Sequence, residues 1–153
     1  MRYIAHRGLF KGPNPKLENM PTQINQALLE GYDCEIDLWV FDNRLYLGHD
    51  GPQTNTTEEY IRNDRFWIHA KNLEALCWLR HSPIKHNYFW HESDKFTLTS
   101  DEYIWTNPGN HLSIDSVMVM PEHEDPTLEV TRNALCYAIC SDYVERIKEL
   151  RCN

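Results

Sequence analysis

Tyr32 to Asp50 reads YDCEIDLWVFDNRLYLGHD, and its pattern decides how the chain folds. Apolar residues run from Cys34 to Phe41, broken only by Glu35 and Asp37. Asp42-Asn43 offers a turn, and Leu45-Tyr46-Leu47 carries the chain back to His49-Asp50, so the pattern predicts a strand and a hairpin. Side chains at i and i+2 of a strand share a face. Glu35 and Asp37 would therefore point at one spot, with His49 arriving on the neighbouring segment. Two carboxylates aimed together repel unless a cation lies between them or one keeps its proton. Oxygen ligands of this kind suit a hard divalent ion, Mg²⁺ or Ca²⁺. The same stretch also fits a half-exposed strand with acidic residues on its wet face, and read alone it supports either.

The flanking sequence alternates between strand and helix. Tyr3-Ile-Ala reads as a strand ending at His6-Arg7-Gly8. Asn19 is placed as a helix cap with Pro21 in the first turn; Ile24, Ala27 and Leu28 form an apolar stripe, and Gly31 ends the helix. Thr56-Thr57-Glu58-Glu59 offers a capping box. Phe66 to Ala70 reads as a buried strand, and Asn72 caps a helix with Leu73, Leu76, Cys77 and Leu79 inward. Further strands are expected at Asn87–Trp90, Phe96–Leu98, Tyr103–Trp105, Ser116–Met120 and Leu135–Cys140. Asp142 with Glu145 forms a capping box for the closing helix. Strands alternating with helices argue for parallel sheet in an α/β fold.

Composition bounds the function. The chain has 153 residues, 41% hydrophobic and 12% aromatic, which is enough for one globular domain spanning 1–153. A net charge of −8 argues against a nucleic-acid partner, which needs a basic face. An anionic small-molecule substrate stays open, because local charge can oppose net charge. No apolar run approaches the roughly 20 residues of a membrane span, and the first strand begins without a leader. A cytoplasmic location is therefore expected, with the five cysteines as free thiols.

Four motifs in register point further. His6-Arg7-Gly8 closes a strand, Glu18-Asn19 opens a helix, Gly31-Tyr-Asp-Cys-Glu35-Ile-Asp37 forms the next strand, and His49-Asp50 follows. In these motifs the first third of the chain resembles the glycerophosphodiester phosphodiesterase family, within the phospholipase-C-like barrel enzymes. Tyr137 to Arg146 resembles the family's last barrel strand and the helix after it, more loosely. The resemblance implies a (β/α) barrel, yet such barrels usually need about 200 residues or more. The expectation is a compact, reduced or irregular TIM-like barrel with some helices missing, and an open sheet is the fallback. Missing helices would uncover apolar strand surface, and a homodimer is one way to cover it.

The resemblance also implies roles. His6 and His49 would act as acid and base, Glu35 and Asp37 would bind the metal, and Lys71 would contact phosphate. Arg7 and Lys71 together would offset charge that grows in the transition state. The chain departs from the family two residues before the lysine, where His69 stands in place of an acidic third ligand. Imidazole suits softer ions, so Mn²⁺ or Zn²⁺ joins Mg²⁺ and Ca²⁺ as the expected cofactor. Arg7 has a plainer reading as the partner of Glu18 or Glu35, and Lys71 as a surface lysine at a helix start. His91, Glu92, Asp94 and the acidic run Glu122 to Asp125 read as solvated loops. The expected function is metal-dependent hydrolysis of a small glycerol- or sugar-linked phosphodiester. The alternative is a non-catalytic module that binds phosphorylated ligands.

Overall fold

The computed structural model describes residues 1–152, and over them the chain forms ten strands and four α-helices. In chain order these are β1 (Arg2–Ala5), α1 (Pro21–Leu29), β2 (Asp33–Phe41), β3 (Arg44–Leu47), β4 (Thr54–Thr56), α2 (Glu58–Ile61), β5 (Phe66–Ala70), α3 (Leu73–His81), β6 (Asn87–Phe89), β7 (Phe96–Leu98), β8 (Ile104–Thr106), β9 (Ser116–Val119), β10 (Ala138–Ser141) and α4 (Val144–Cys152). A single turn of 3-10 helix, His6–Gly8, follows β1 directly.

All ten strands belong to one mixed sheet. Its parallel part runs β6, β5, β2, β1, β10, β9, β8. The hairpin partners β3 and β4 extend it antiparallel from the second half of β2, and β7 lies antiparallel on β8. Among the described residues no ladder joins β6 to β7, so the sheet is curled and open and is not a closed (β/α)₈ barrel. The reason lies in the connections. Parallel neighbours need a crossover long enough to carry a helix, and after β6 the chain instead spends its residues on β7 and on loops. Ser100 crosses the remaining gap: its N–H donates to the Tyr88 carbonyl at 2.8 Å and its hydroxyl to the His86 carbonyl at 2.8 Å.

Alternation along the two central strands positions the site. Cys34, Ile36 and Leu38 of β2, with Phe66, Ile68 and Ala70 of β5, join Ile24, Ala27, Ala75 and Leu79 of α1 and α3 in one core. Glu35, Asp37, Trp67 and His69 therefore face the concave side. Trp67 meets Ile4, Phe89, Trp105, Val117, Val119, Ala138 and Cys140 there, and these residues fill the base of the curl. Phe89 stacks on Trp105 with ring centroids 4.4 Å apart. Ile147 of α4 packs with Met118, Leu128 and Ile139 in a third cluster.

Two local expectations need correcting. Asn19 does not cap α1: the cap position is Met20, with no side-chain hydrogen bond. Leu73 is not inward. It is 65% exposed and Cys77 is exposed as well; α3 buries Ala75 and Leu79 instead, with Leu76 partly buried beside them. On β7, Phe96 and Leu98 are also exposed, where the sheet carries no covering helix. No helix among the described residues is long and apolar enough to cross a membrane.

The turn after β1 explains the glycine of His-Arg-Gly. Gly8 has φ +80°, and a Cβ there would sit 2.9 Å from Ile24 Cγ1 and 3.0 Å from Ile24 Cα. The close approach seats α1 against the segment that carries His6. Gly8→Ala is expected to cost about 2–4 kcal/mol, from left-handed strain plus overpacking. Urea unfolding of the purified variant checks this, and a loss below about 0.5 kcal/mol would show that the contact relaxes freely.

Candidate metal centre and its histidines

The curl ends in a cavity of about 380 Å³, and His6, Arg7, Glu35, Asp37, His49, His69 and Lys71 all line it. They arrive from the C-terminal ends of parallel strands or the segments just beyond: His6 and Arg7 after β1, Glu35 and Asp37 on β2, His69 and Lys71 at the end of β5. His49 comes from the loop after β3. Register sets Asp37 directly beside His69.

Glu35 and Asp37 are 2% and 1% exposed. One ligand atom from each, with one from His69, lie within 4.8 Å of one another. Glu35 Oε2 accepts the Arg7 backbone N–H at 3.0 Å and lies 4.0 Å from His6 Nε2. Burial, reinforced by the charge of Asp37, pushes the Glu35 pKa up. Asp37 goes the other way. Burial would raise it, but the His49 hydrogen bond, the close approach of His69 and the nearby charge of Arg7 hold it well below the usual carboxylate range.

The surroundings of Asp37 are dense in donors. Asn19 grips it twice: its Nδ2 donates to Oδ2 at 2.9 Å, and its Oδ1 accepts the Asp37 backbone N–H at 2.9 Å. Arg7 Nε stands 3.2 Å and His49 Nδ1 3.3 Å from Oδ2. Oδ1 lies 3.1 Å from His69 Nδ1 and 3.5 Å from Lys71 Nζ, yet it is buried without an aligned hydrogen bond. A buried carboxylate oxygen in that state is free to accept a further partner, an ion among them. With Glu35 and His69 beside it, the donor set fits a divalent cation.

The two histidines are held differently. His6 Nδ1 donates to Asp142 Oδ1 at 2.9 Å, which leaves Nε2 turned to the cavity. Asp142 is itself anchored, because Glu122 accepts the Asp142 backbone N–H at 3.0 Å and the Ser141 hydroxyl at 2.8 Å. Burial lowers the His6 pKa, but the Asp142 hydrogen bond and the Glu35 charge outweigh it and raise it above the ordinary value. His49 has a more exposed ring. Its Nε2 is 3.3 Å from Arg7 Nη2. A guanidinium only donates, so Nε2 accepts and the proton sits on Nδ1, facing Asp37.

The structure thus lines one cavity with His6, Arg7, Glu35, Asp37, His49, His69 and Lys71, the residues to which roles were assigned, with a qualification for Arg7; Asp50 of the His-Asp motif is exposed outside it. Its guanidinium is occupied by Glu18 at 2.7 Å, by Asp37 and by His49. Lys71, with a side chain 15% exposed and one long contact to Asp37, is the freer cation. The solvated-loop reading is overturned for His91, which is half-buried and lines the cavity; Glu92 and His123 also line it, as exposed loop residues. Burial, with His69 and Lys71 nearby, pushes the His91 pKa down to about 4. Glu122 is a structural anchor, and Asp142 serves His6 where a helix cap was expected. Position offered the available signal for Asp142: it is a polar residue at the C-terminal end of a strand, where barrel-like folds place their chemistry. Comparisons with family models, curated proteins and solved structures found no match for this chain.

Proposed function

We propose that this chain is a metal-dependent phosphodiesterase of the glycerophosphodiester type. It would hydrolyse a P–O bond in a small glycerol- or sugar-linked diester to a phosphomonoester and an alcohol. In this reading the curled open sheet is a reduced (β/α) barrel that has lost its later helices. The observation that carries the reading is the convergence of two buried carboxylates, two oriented imidazoles and a lysine on one cavity. The five cysteines are all free thiols, in keeping with work in a reducing cytoplasm.

A divalent ion on Glu35, Asp37 and His69 would polarise a phosphoryl oxygen. The rest falls to the chain's own groups. Asp142 fixes the proton of His6 on Nδ1, so Nε2 is the atom that exchanges a proton with substrate. Arg7 and Asp37 likewise fix the proton of His49 on Nδ1. One imidazole takes the proton of the attacking oxygen and the other returns one to the leaving oxygen. Lys71 offsets charge on the phosphoryl oxygens, while Arg7 holds Asp37 and Glu18 in place and adds its field. A cavity of about 380 Å³ is at the small end of the ligand-site range, which suits a leaving group of glycerol or sugar size.

The test is hydrolysis of bis(p-nitrophenyl) phosphate by purified protein with Mg²⁺, Ca²⁺, Mn²⁺ or Zn²⁺. Turnover is expected with at least one ion, and it should vanish with a chelator and in Glu35→Gln. Binding of phosphorylated ligands without turnover under any ion would replace the enzyme with a binding module.

A further inference from the structure

We infer that the centre is built for a nitrogen-preferring first-row ion of the Zn²⁺ class, held through His69 Nδ1, and not for Mg²⁺ or Ca²⁺. The inference rests on the metal-centre reading above and assigns the ion that reading leaves open.

It starts from the far nitrogen of His69. Nε2 lies 3.2 Å from the His91 carbonyl oxygen. A carbonyl only accepts, so the contact places the ring proton on Nε2. In the neutral ring the Nδ1 lone pair then faces Asp37 Oδ1 at 3.1 Å. Two acceptors at that distance repel unless a proton or a metal ion lies against both. Oδ1 is the buried oxygen without a hydrogen bond, and Glu35 supplies a third donor within 4.8 Å. A histidine whose remote N–H is tied to a backbone carbonyl is the usual outer-shell arrangement of a metal ligand, because it sets both tautomer and ring direction.

The ring plane is held as well. His69 stacks against Phe89 at 5.1 Å and 11°, and against His91 at 4.7 Å and 20°. The ligand is preorganised before any ion arrives. The chemistry of the set then selects the ion. Ca²⁺ takes six to eight oxygens and Mg²⁺ an oxygen octahedron; here one protein donor of three is imidazole. Imidazole with carboxylates suits Zn²⁺ and its neighbours at low coordination number.

The experiment uses the full chain stripped with a chelator, followed by calorimetric titration and metal analysis after dialysis. One equivalent of Zn²⁺ per chain is expected, lost in Glu35→Gln, with Mg²⁺ and Ca²⁺ at least about 100-fold weaker. Co²⁺, as a spectroscopic stand-in, should give intense visible bands that collapse in His69→Gln. His69→Glu should move the preference at least about tenfold toward Mg²⁺ or Ca²⁺. Circular dichroism checks that each variant folds. Should His69→Gln unfold, the wild-type Co²⁺ spectrum decides, because an all-oxygen six-coordinate ion gives only weak bands. Mg²⁺ or Ca²⁺ binding as tightly as Zn²⁺, or a Co²⁺ spectrum indifferent to His69→Gln, overturns the inference while leaving a metal centre. No binding of any ion to folded wild type or His69→Glu removes the centre itself, and the inference with it.

Discussion

His6→Ala is expected to lower kcat for phosphodiester hydrolysis by about 10²–10⁴-fold, the range of a lost acid–base group, with KM changed only a few-fold. The expectation follows from how the imidazole is held. Nδ1 is committed to Asp142 at 2.9 Å, and Nε2 faces the cavity beside Glu35. His49→Ala should fall in the same range. Asp142→Asn keeps the size of the side chain but no longer demands the same tautomer, so a smaller loss is expected, about 10–10²-fold, again in kcat. The competing view is that His6 is a buried structural histidine. It predicts the reverse pattern, with lower stability and intact kcat in the folded fraction. Steady-state kinetics beside thermal unfolding separates the two, and a His6→Ala kcat within about twofold of wild type would end the catalytic assignment.

Asp37→Asn is expected to destabilise the metal-free protein by about 3–5 kcal/mol, the cost of breaking a buried ionic cluster from one side. Asp37 is 1% exposed, and Arg7, His49, His69 and Lys71 all stand within 3.5 Å of its carboxylate oxygens. Removing its charge takes the nearest counter-charge from the Arg7 guanidinium and the Lys71 ammonium and the acceptor from the His49 Nδ1 proton. The pH dependence has a definite sign. The folded-state pKa of Asp37 lies below that of the unfolded chain, so its contribution is complete above about pH 4 and is lost as pH falls further. The gap between wild type and variant should therefore be full at pH 7 and narrow in strong acid. Urea unfolding at pH 7 measures the main effect. A loss under about 1 kcal/mol would mean that water, and not Asp37, balances these cations. Zn²⁺ at about 100 times its dissociation constant should stabilise wild type by about 2.7 kcal/mol and leave the variant unmoved.

Asn19 shows where local reading stops. Its type and place, just before Pro21, fit a helix cap, and propensity near a helix start says no more than that. In the folded chain its side chain instead holds Asp37, 18 positions away in sequence, through both amide atoms. Asp142 repeats the lesson: a capping box predicts a local partner, and the side chain finds His6 across 136 positions. The acidic run 122–125 reads as solvent-facing, yet Glu122 supports Asp142. The choice between a reduced barrel and the open-sheet fallback was undecidable for a related reason, since strand count and length do not say whether the last two edges meet.

Periodicity and residue type were sufficient for the strands and helices around Tyr32–Asp50 and for the shared face of Glu35 and Asp37, while the motif resemblance supplied His6, Arg7, His49, His69 and Lys71 as their companions. Those features follow from backbone geometry over a few residues, where i and i+2 on a strand point one way. Three things required the assembled chain: the tautomers of His6, His49 and His69, the engagement of Arg7, and the gap between β6 and β7. Each depends on which distant atom comes within about 3 Å of another, a condition set by how the whole sheet curls and recorded in no short stretch of sequence.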